Sequence, residues 1–177
     1  MSRDYSGRVY ELVEQDTTWP QKFQLLQGQL GRLFGANAVS INHVGSTAVP
    51  GLAGKPTLDI AVEVTNLGKA DSLNSAMEEL GYKSYGAYVA PNSRFFAAEV
   101  DGARTVNIHV FPTGHEQLER MVQGIAYLQA HLGEVNKYEA LKMALHKQFP
   151  DDYGSYRAGK EQYLDELAIK AKRWHDA

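Results

Sequence analysis

The stretch "NHVGSTAVPGLAGKPTLDIAVEV", residues 42–64, decides the fold because it places a glycine- and proline-rich segment between two predicted strands. The first strand is predicted from Val39 to Val44, and the second, from Thr57 to Val64, is apolar enough to be buried on both faces of a sheet. Between them there is room for one helical turn around Thr47 to Leu52. This segment is either a turn that joins two strands or a site that binds phosphate and metal.

The composition suits one globular domain and narrows the classes of partner. The chain has 177 residues, 44% of them hydrophobic, which is enough for a core in one domain spanning residues 1–177. Its net charge of -3 argues against a protein that coats nucleic acid, and the absence of cysteine excludes disulfides and thiolate zinc sites. There is no signal-peptide pattern and no apolar run of the ~18 residues that a membrane span needs. We therefore expect a cytoplasmic protein with no membrane partner and no broad nucleic-acid surface; the oligomeric state stays open.

The order of predicted elements indicates an α+β fold. Trp19 to Phe34 repeats apolar residues at helical spacing, and Asp71 to Leu80 is a second, shorter predicted helix. Arg94 to Val100 and Thr105 to Phe111 form a predicted hairpin around Asp101-Gly102, a tight-turn signal.

Further along, the apolar residues fall into helical stripes. We therefore predict a mixed β-sheet flanked by helices over about residues 9–112 and a C-terminal helical extension over about residues 113–174. Val9 to Val13 alternates apolar and polar residues and is a predicted short edge strand.

Gly45-Ser46-Thr47 is the first candidate binding element. Glycine allows close backbone approach, and serine and threonine hydroxyls can donate to a phosphate beside Lys55. The segment is not a Walker loop, because no Gly-Lys-Ser/Thr follows. Taken alone, a plain turn explains these residues better than a site does.

Asp59 changes that balance because it interrupts an apolar strand. A buried carboxylate is costly unless it is paired, hydrogen-bonded or bound to a cation. Asn107 and His109 share one face of a later strand, and if the two strands are neighbours these side chains converge with Asp59 as metal ligands or catalytic groups. His43 is a further candidate ligand, although a lone histidine is more often hydrogen-bonded in a core.

Cationic side chains could neutralise a phosphate. The candidates are Arg94, which begins a strand, and Lys142 and Lys160, which lie on the apolar stripes of their helices. A lysine in that position either extends to water or points into a polar cleft. Nearby tyrosines could stack on a base, although aromatic residues at helical spacing are more often core.

Together, "HVGSTAVPGLAGKPTLDI", "RTVNIHVF", "YEALK" and "FPDDYGSYRAGKEQYLDEL" resemble the GrpB family, over about Trp19 to Leu167. The resemblance implies the nucleotidyltransferase superfamily related to DNA polymerase beta. That superfamily carries a Gly-Ser phosphate loop after one strand and an Asp-x-Asp/Glu metal pair on the next. It implies that Gly45 and Ser46 hold phosphate and that Asp59 is the first metal carboxylate.

Two departures weaken the implied chemistry. Ala61 stands where the second carboxylate of the pair belongs, and Glu63 on the same face lies two residues further along. Two-metal catalysis needs ligands for a pair of ions about 4 Å apart. Ile125-Ala126 stands where the family resemblance implies an Arg-Asp pair.

The leading hypothesis is a nucleotidyltransferase-like protein, active or not, that binds a nucleotide or phosphorylated small molecule with Mg²⁺ near Gly45-Ser46 and Asp59. The alternative is a non-catalytic binding module on the same scaffold, for a small molecule or for a transition metal such as Zn²⁺ held by His43, His109 and Asp59. A purely structural or interaction role has no specific support in the sequence.

Overall fold

One five-stranded mixed sheet lies at the centre of residues 10–177, the part of the chain that this computed structural model describes. In chain order its strands are β1 (Ala38–Val44), β2 (Leu58–Val64), β3 (Lys83–Ser84), β4 (Arg94–Val100) and β5 (Ala103–Pro112). They are arranged β1-β2-β5-β4-β3, with β2 and β5 parallel and the other neighbours antiparallel. The strands that carry Asp59 and Asn107 are therefore neighbours, which is the condition for their side chains to converge.

Helices precede, interrupt and follow the strands. They are α1 (Trp19–Phe34), α2 (Leu67–Asp71), α3 (Asn74–Glu79), α4 (Glu116–Ala130), α5 (Leu132–Gln148), α6 (Tyr153–Ala158) and α7 (Glu161–His175). The α+β class, the mixed sheet and the helical C-terminal part agree with the sequence prediction. None of the helices in residues 10–177 is long and apolar enough to cross a membrane.

Three local predictions need correction. The helix predicted from Asp71 to Leu80 is the shorter α3, and a separate helix, α2, precedes it. The start of α2 is capped by Asn66, whose side chain accepts a hydrogen bond from the Lys69 N–H. The turn predicted around Thr47 to Leu52 is a shorter 3₁₀ turn, Ser46–Ala48. Of the predicted edge strand, Val9 lies outside the described residues, and Val13 forms only an isolated bridge to Gly54.

Strand alternation gives the sheet two different faces. One face packs on α1, α2 and α3 in an apolar core, whose buried members include Leu30, Phe34, Ile60, Val62, Met77, Ile108 and Val110. The other face is covered partly by α4, through a smaller cluster of Val44, Ala61, Phe111 and Leu118. The second strand is thus buried on both sides, as its apolar composition predicted.

The helical part forms its own apolar cluster and closes over one end of the sheet. Leu128 of α4, Val135 and Tyr138 of α5, and Leu167 of α7 pack together with two residues of the loop that follows β1, Val49 and Leu52. The loop that precedes Asp59 is therefore held between the sheet and the helices.

Candidate functional site

A cleft of ≈ 620 Å³ lies between this end of the sheet and the helical part. Its size is ordinary for a small-molecule site. Its polar lining includes Gly45, Ser46, Lys55, Asp59, Asn107 and His109 beside the sheet, and Arg120, Tyr138, Tyr153, Arg157 and Lys160 beside the helices. Most of the residues singled out in the sequence therefore meet in one place.

The parallel pairing of β2 and β5 brings Asp59, Asn107 and His109 together. Asp59 is directly opposite Asn107 in the register, and the Asn107 Nδ2 donates to Asp59 Oδ1 over 2.8 Å. The His109 Nε2 lies 3.6 Å from the same oxygen. Burial raises the pKa of Asp59, but His109, Lys55 and Asn107 outweigh that effect and hold the pKa below its usual value. The carboxylate is thus ionised at neutral pH inside the cleft.

Gly45 allows the loop to touch this carboxylate. Its φ of 74° is in the region that favours glycine, and a β-carbon at this position would lie 2.6 Å from Asp59 Oδ2. No other residue type fits there without moving the Asp59 side chain. The close approach that glycine allows here is the contact between the Gly45 backbone and the Asp59 carboxylate.

Helix α5 holds the same loop through its polar side chains. The Ala53 N–H donates to Glu139 Oε1 over 3.0 Å, and the Lys142 Nζ donates to the Ala53 carbonyl. The Lys142 Nζ also donates to Ser46 Oγ over 3.0 Å, although the side chain is almost completely buried. The sequence analysis did not identify Glu139, and its spacing of three residues from Lys142 on one helix was the available signal.

Three lysines lie in or beside the cleft. Lys55 and Lys160 line it, whereas Lys142, which was also predicted to bind phosphate, contacts Ser46 from outside the lining. The Lys55 Nζ donates to the Tyr153 hydroxyl over 3.0 Å, and the Nζ atoms of Lys142 and Lys160 lie over tyrosine rings at 5.0 and 4.3 Å from the centroids. Within residues 10–177, none of the three has a carboxylate oxygen within ion-pair distance. Lys55 and Lys160 therefore line the cleft without a salt-bridge partner among these residues.

Burial is the main cause of the low pKa values of two of these lysines. Burial, together with repulsion from Lys55 and Lys142, lowers the pKa of Lys160 to about 7. Burial lowers the pKa of Lys142 to about 8, with repulsion from Lys55 adding to the effect and Glu139 opposing it. An anion in the cleft would favour the charged form of both groups.

Arg94 does not belong to the site, contrary to prediction. It occupies the face of β4 opposite to Phe95, whose ring lines the cleft, since neighbouring strand residues alternate. Its guanidinium is instead paired with Asp71, with Arg94 Nη2 2.7 Å from Asp71 Oδ2. Arg94 therefore connects the sheet to α2 on the face away from the cleft.

The predicted metal ligand His43 and the Thr47 hydroxyl are also turned away. His43 pairs in register with Ile60, on the α1 face, where its ring stacks on Phe23 with the centroids 4.7 Å apart. The His43 Nε2 shares a hydrogen bond of 2.8 Å with the buried Thr47 Oγ1. The three-residue set of His43, His109 and Asp59 that was predicted for Zn²⁺ therefore does not assemble.

No second carboxylate lies beside Asp59 at Ala61 or at Glu63. Ala61, where a second carboxylate would belong, is completely buried against Phe111 and Leu118. Glu63 lies outside the cleft lining and accepts a hydrogen bond from Ser40. Within residues 10–177 no three side chains of His, Cys, Asp or Glu are grouped so that they could hold a metal.

A β-bulge brings Arg104 to the cleft. Arg104 pairs with Glu99 while Val106 pairs with Ala98, so the extra residue turns Arg104 to the cleft face. There its guanidinium lies 5.2 Å from the Phe95 ring centroid. A bulge of this kind leaves no clear mark in the strand pattern.

Helix α4 provides the remaining wall. Arg120 is paired with Asp165 of α7, Nη2 to Oδ1, over 2.5 Å, and both line the cleft. Ile125, the first residue of the Ile125-Ala126 departure, also lines the cleft and makes this part of the wall apolar.

This chain is similar in sequence to proteins of one known family. The model of the family described as "GrpB protein" matches residues 9–170. The UPF0157 protein YqkA of Bacillus subtilis is 29% identical over 170 residues, which are 96% of this chain and 49% of that protein. A protein of Mycolicibacterium paratuberculosis named dephospho-CoA kinase is 26% identical over 200 residues, covering 99% of this chain and 49% of that protein. The chain thus spans about half the length of these two relatives.

A solved structure supports the same grouping. The crystal structure of the conserved protein GrpB from Enterococcus faecalis superposes with a TM-score of 0.89 at 25% identity, covering 94% of this chain and 100% of that one. Since the family model also covers both the sheet and the helical part, the chain belongs to the GrpB family.

Proposed function

We propose that this chain binds a nucleotide or another phosphorylated small molecule in the cleft, with a phosphate group between Ser46 and the ammonium groups of Lys55 and Lys160. One observation carries the proposal, namely that two lysines of the cleft lining, Lys55 and Lys160, have no salt-bridge partner among the described residues. Buried or half-buried cations without a counter-charge are unfavourable. A phosphate dianion would supply that counter-charge and accept hydrogen bonds from the lysines and from the Ser46 hydroxyl.

The proposed role of Mg²⁺ is to enter with the ligand. Mg²⁺ prefers six oxygen ligands and is commonly held by one or two carboxylates plus substrate phosphates. Asp59 offers one such carboxylate, and its Oδ2 faces Gly45 while Oδ1 accepts from Asn107. Asp59 would hold such an ion only together with the ligand's phosphate, because the described residues offer no set of three ligands for a resident ion.

Because Ala61 stands where the second metal carboxylate would be, we propose that the site binds its ligand without two-metal transfer chemistry. Its side chain is completely buried in the apolar cluster with Val44, Phe111 and Leu118, so this wall has neither a second acid nor space for one. The site supports positioning and charge neutralisation, which form only part of the usual means of phosphoryl or nucleotidyl transfer.

The relative named dephospho-CoA kinase suggests one ligand to try. Its name specifies a phosphorylated small molecule as substrate, and this chain matches about half of that protein. We use the name only to choose a ligand class, because a shared half does not transfer an activity.

Isothermal titration calorimetry tests the proposal. The ligands are ATP, GTP, CTP, UTP, dephospho-CoA and inorganic pyrophosphate, each with and without Mg²⁺. We expect saturable binding of at least one nucleotide, weaker at high salt because charge contributes to the affinity. No binding of any of these ligands, with or without Mg²⁺, would contradict the proposal.

Two variants and one control locate the ligand. Lys55→Met and Lys160→Met each remove one of the facing cations and should weaken binding about tenfold or more, as expected for a charge-assisted hydrogen bond. Lys147→Met makes the same change on an exposed part of α5 outside the cleft lining and should leave the affinity unchanged. Equal effects at all three positions would indicate non-specific attraction of anions.

A further inference from the structure

The helical wall of the cleft is apolar where α4 faces α7. This part of the lining consists of Met121, Gly124, Ile125 and Leu128 from α4, and Leu164, Leu167 and Ala168 from α7. It belongs to the same cleft as Ser46, Asp59 and the lysines. A molecule that fills the cleft therefore meets Asp59 and the lysines at one side, and at the other a mostly apolar wall that also contains the Arg120–Asp165 ion pair.

Gly124 lies in this wall, and its presence inside a helix is unexpected because glycine destabilises helices. It lies in the interior of α4, where glycine is less favourable than alanine by about 1 kcal/mol. It is buried, yet a β-carbon placed on it would meet nothing within 4 Å.

Other glycines show that this combination is informative. Gly54 and Gly159 have packing reasons, because a β-carbon there would lie 2.8 Å from Ser46 and 2.4 Å from Leu145. Gly133 of α5 is free of neighbours too, but it is exposed to solvent. Only at Gly124, among these four, is a buried glycine bordered by empty space, and that space is the cleft.

We infer that the ligand of this site carries an apolar substituent, and that the substituent occupies the recess bordered by Gly124, Ile125 and Leu164. The inference rests on the proposed function and deepens it, since it defines the ligand class as a phosphate ester with a hydrocarbon or aromatic group. The phosphate lies at the lysine side, and the apolar group lies between α4 and α7. Gly124 keeps the recess open at the expense of helix stability.

A homologous series of alkyl phosphates measures the recess directly. Methyl, butyl and hexyl phosphate have the same charged group, so differences in their affinity report burial of the chain. Burial of one methylene contributes about 0.8 kcal/mol, which is about fourfold in affinity. We expect hexyl phosphate to bind the wild-type protein at least tenfold more tightly than methyl phosphate, by calorimetry or by competition with a bound nucleotide.

Gly124→Leu fills the recess with a residue that favours helix. This variant should fold with equal or greater thermal stability, bind methyl phosphate as the wild type does, and lose the gain from methyl to hexyl phosphate. Gly133→Leu introduces the same residue at the exposed glycine of α5 and should keep that gain. If Gly124→Leu is unstable, Gly124→Ala gives the same test with a smaller change.

The outcomes separate this inference from the proposed function. If methyl phosphate binds and lengthening the chain brings no gain, the recess does not take an apolar group and the inference is wrong while the anion site stands. If the gain persists in both Gly124→Leu and Gly124→Ala, the apolar group binds elsewhere and the inference is again wrong. If no phosphate ester binds the wild type, both the inference and the proposed function fail.

Discussion

Replacing Gly45 with alanine should be among the most damaging small changes in this chain. The backbone at Gly45 has φ 74° and ψ -176°, a region that is essentially restricted to glycine and costs other residues about 1–3 kcal/mol. The added β-carbon would also lie 2.6 Å from Asp59 Oδ2 and 3.0 Å from Asp59 Cβ. The carboxylate has to move, which breaks its hydrogen bond from Asn107.

The magnitude follows from these two effects. Loss of a hydrogen bond to a charged group contributes about 1.5–3 kcal/mol, so the total decrease in the free energy of unfolding is about 3–5 kcal/mol. At about 2–4 °C per kcal/mol for a chain of this size, the melting temperature should fall by about 10 °C. Gly51→Ala is the matched control, because Gly51 has φ 78° with nothing within 4 Å of its would-be β-carbon. It should lose only the backbone part, about 1–2 kcal/mol.

Chemical denaturation of four proteins measures the contact: wild type, Gly45→Ala, Asp59→Ala and the double variant. Truncating Asp59 to alanine removes the 2.6 Å contact with Oδ2 and leaves the 3.0 Å contact with Cβ, so Gly45→Ala should cost clearly less in this background than in the wild type. The reasoning is refuted if Gly45→Ala is no more destabilising than Gly51→Ala, or if its effect is the same with and without Asp59.

Three further predictions concern other residues of the account. Ala61→Asp puts a carboxylate into the apolar cluster beside Leu118, so we expect a loss of about 3–5 kcal/mol in denaturation and no gain of Mg²⁺-dependent nucleotide turnover. The pKa of Lys160 is about 7 in the folded protein, compared with an ordinary value of 10.5. Between pH 7 and pH 10.5 the unfolded state therefore binds more protons than the folded state, so the free energy of unfolding rises with pH in this range. Lys160→Met should therefore be most stabilising relative to wild type near pH 7, with an advantage that shrinks by pH 9; an advantage independent of pH would contradict this. Arg94→Met breaks the ion pair with Asp71 and should cost about 1 kcal/mol while leaving nucleotide affinity unchanged in the titration.

The sequence predicts the strand framework well because its signals are local. The run of α1 from Trp19 to Phe34 follows from apolar spacing, and the β4–β5 turn follows from Asp101-Gly102, whose φ values are 50° and 78°. The α2–α3 region was predicted less well, because short helices depend on caps such as Asn66 more than on periodicity.

Some residues of the candidate site can be predicted from local strand patterns, and others cannot. Asp59, Asn107 and His109 share the cleft face of two strands, and alternation is enough to predict that once the strands are taken as neighbours. Arg94 and His43 were assigned to the site wrongly, because residue type indicates a chemistry without fixing which face of the sheet the side chain occupies.

Residues far apart in sequence were the hardest to connect. Glu139 fixes the loop before Asp59 from 86 positions away, through the Ala53 N–H. A bulge of one residue turns Arg104 toward the cleft, and a β-carbon at Gly124 would border empty space. Both features depend on the folded structure and leave no local pattern in the sequence.

The most direct measurement of the central claim is a crystal structure of the protein soaked with a nucleoside triphosphate and Mg²⁺. We predict a phosphate group within hydrogen-bond distance of Ser46 Oγ and of the Lys55 or Lys160 Nζ, with any Mg²⁺ ion held by the Asp59 carboxylate. A nucleotide bound elsewhere on the protein, with this cleft free of phosphate, would contradict it.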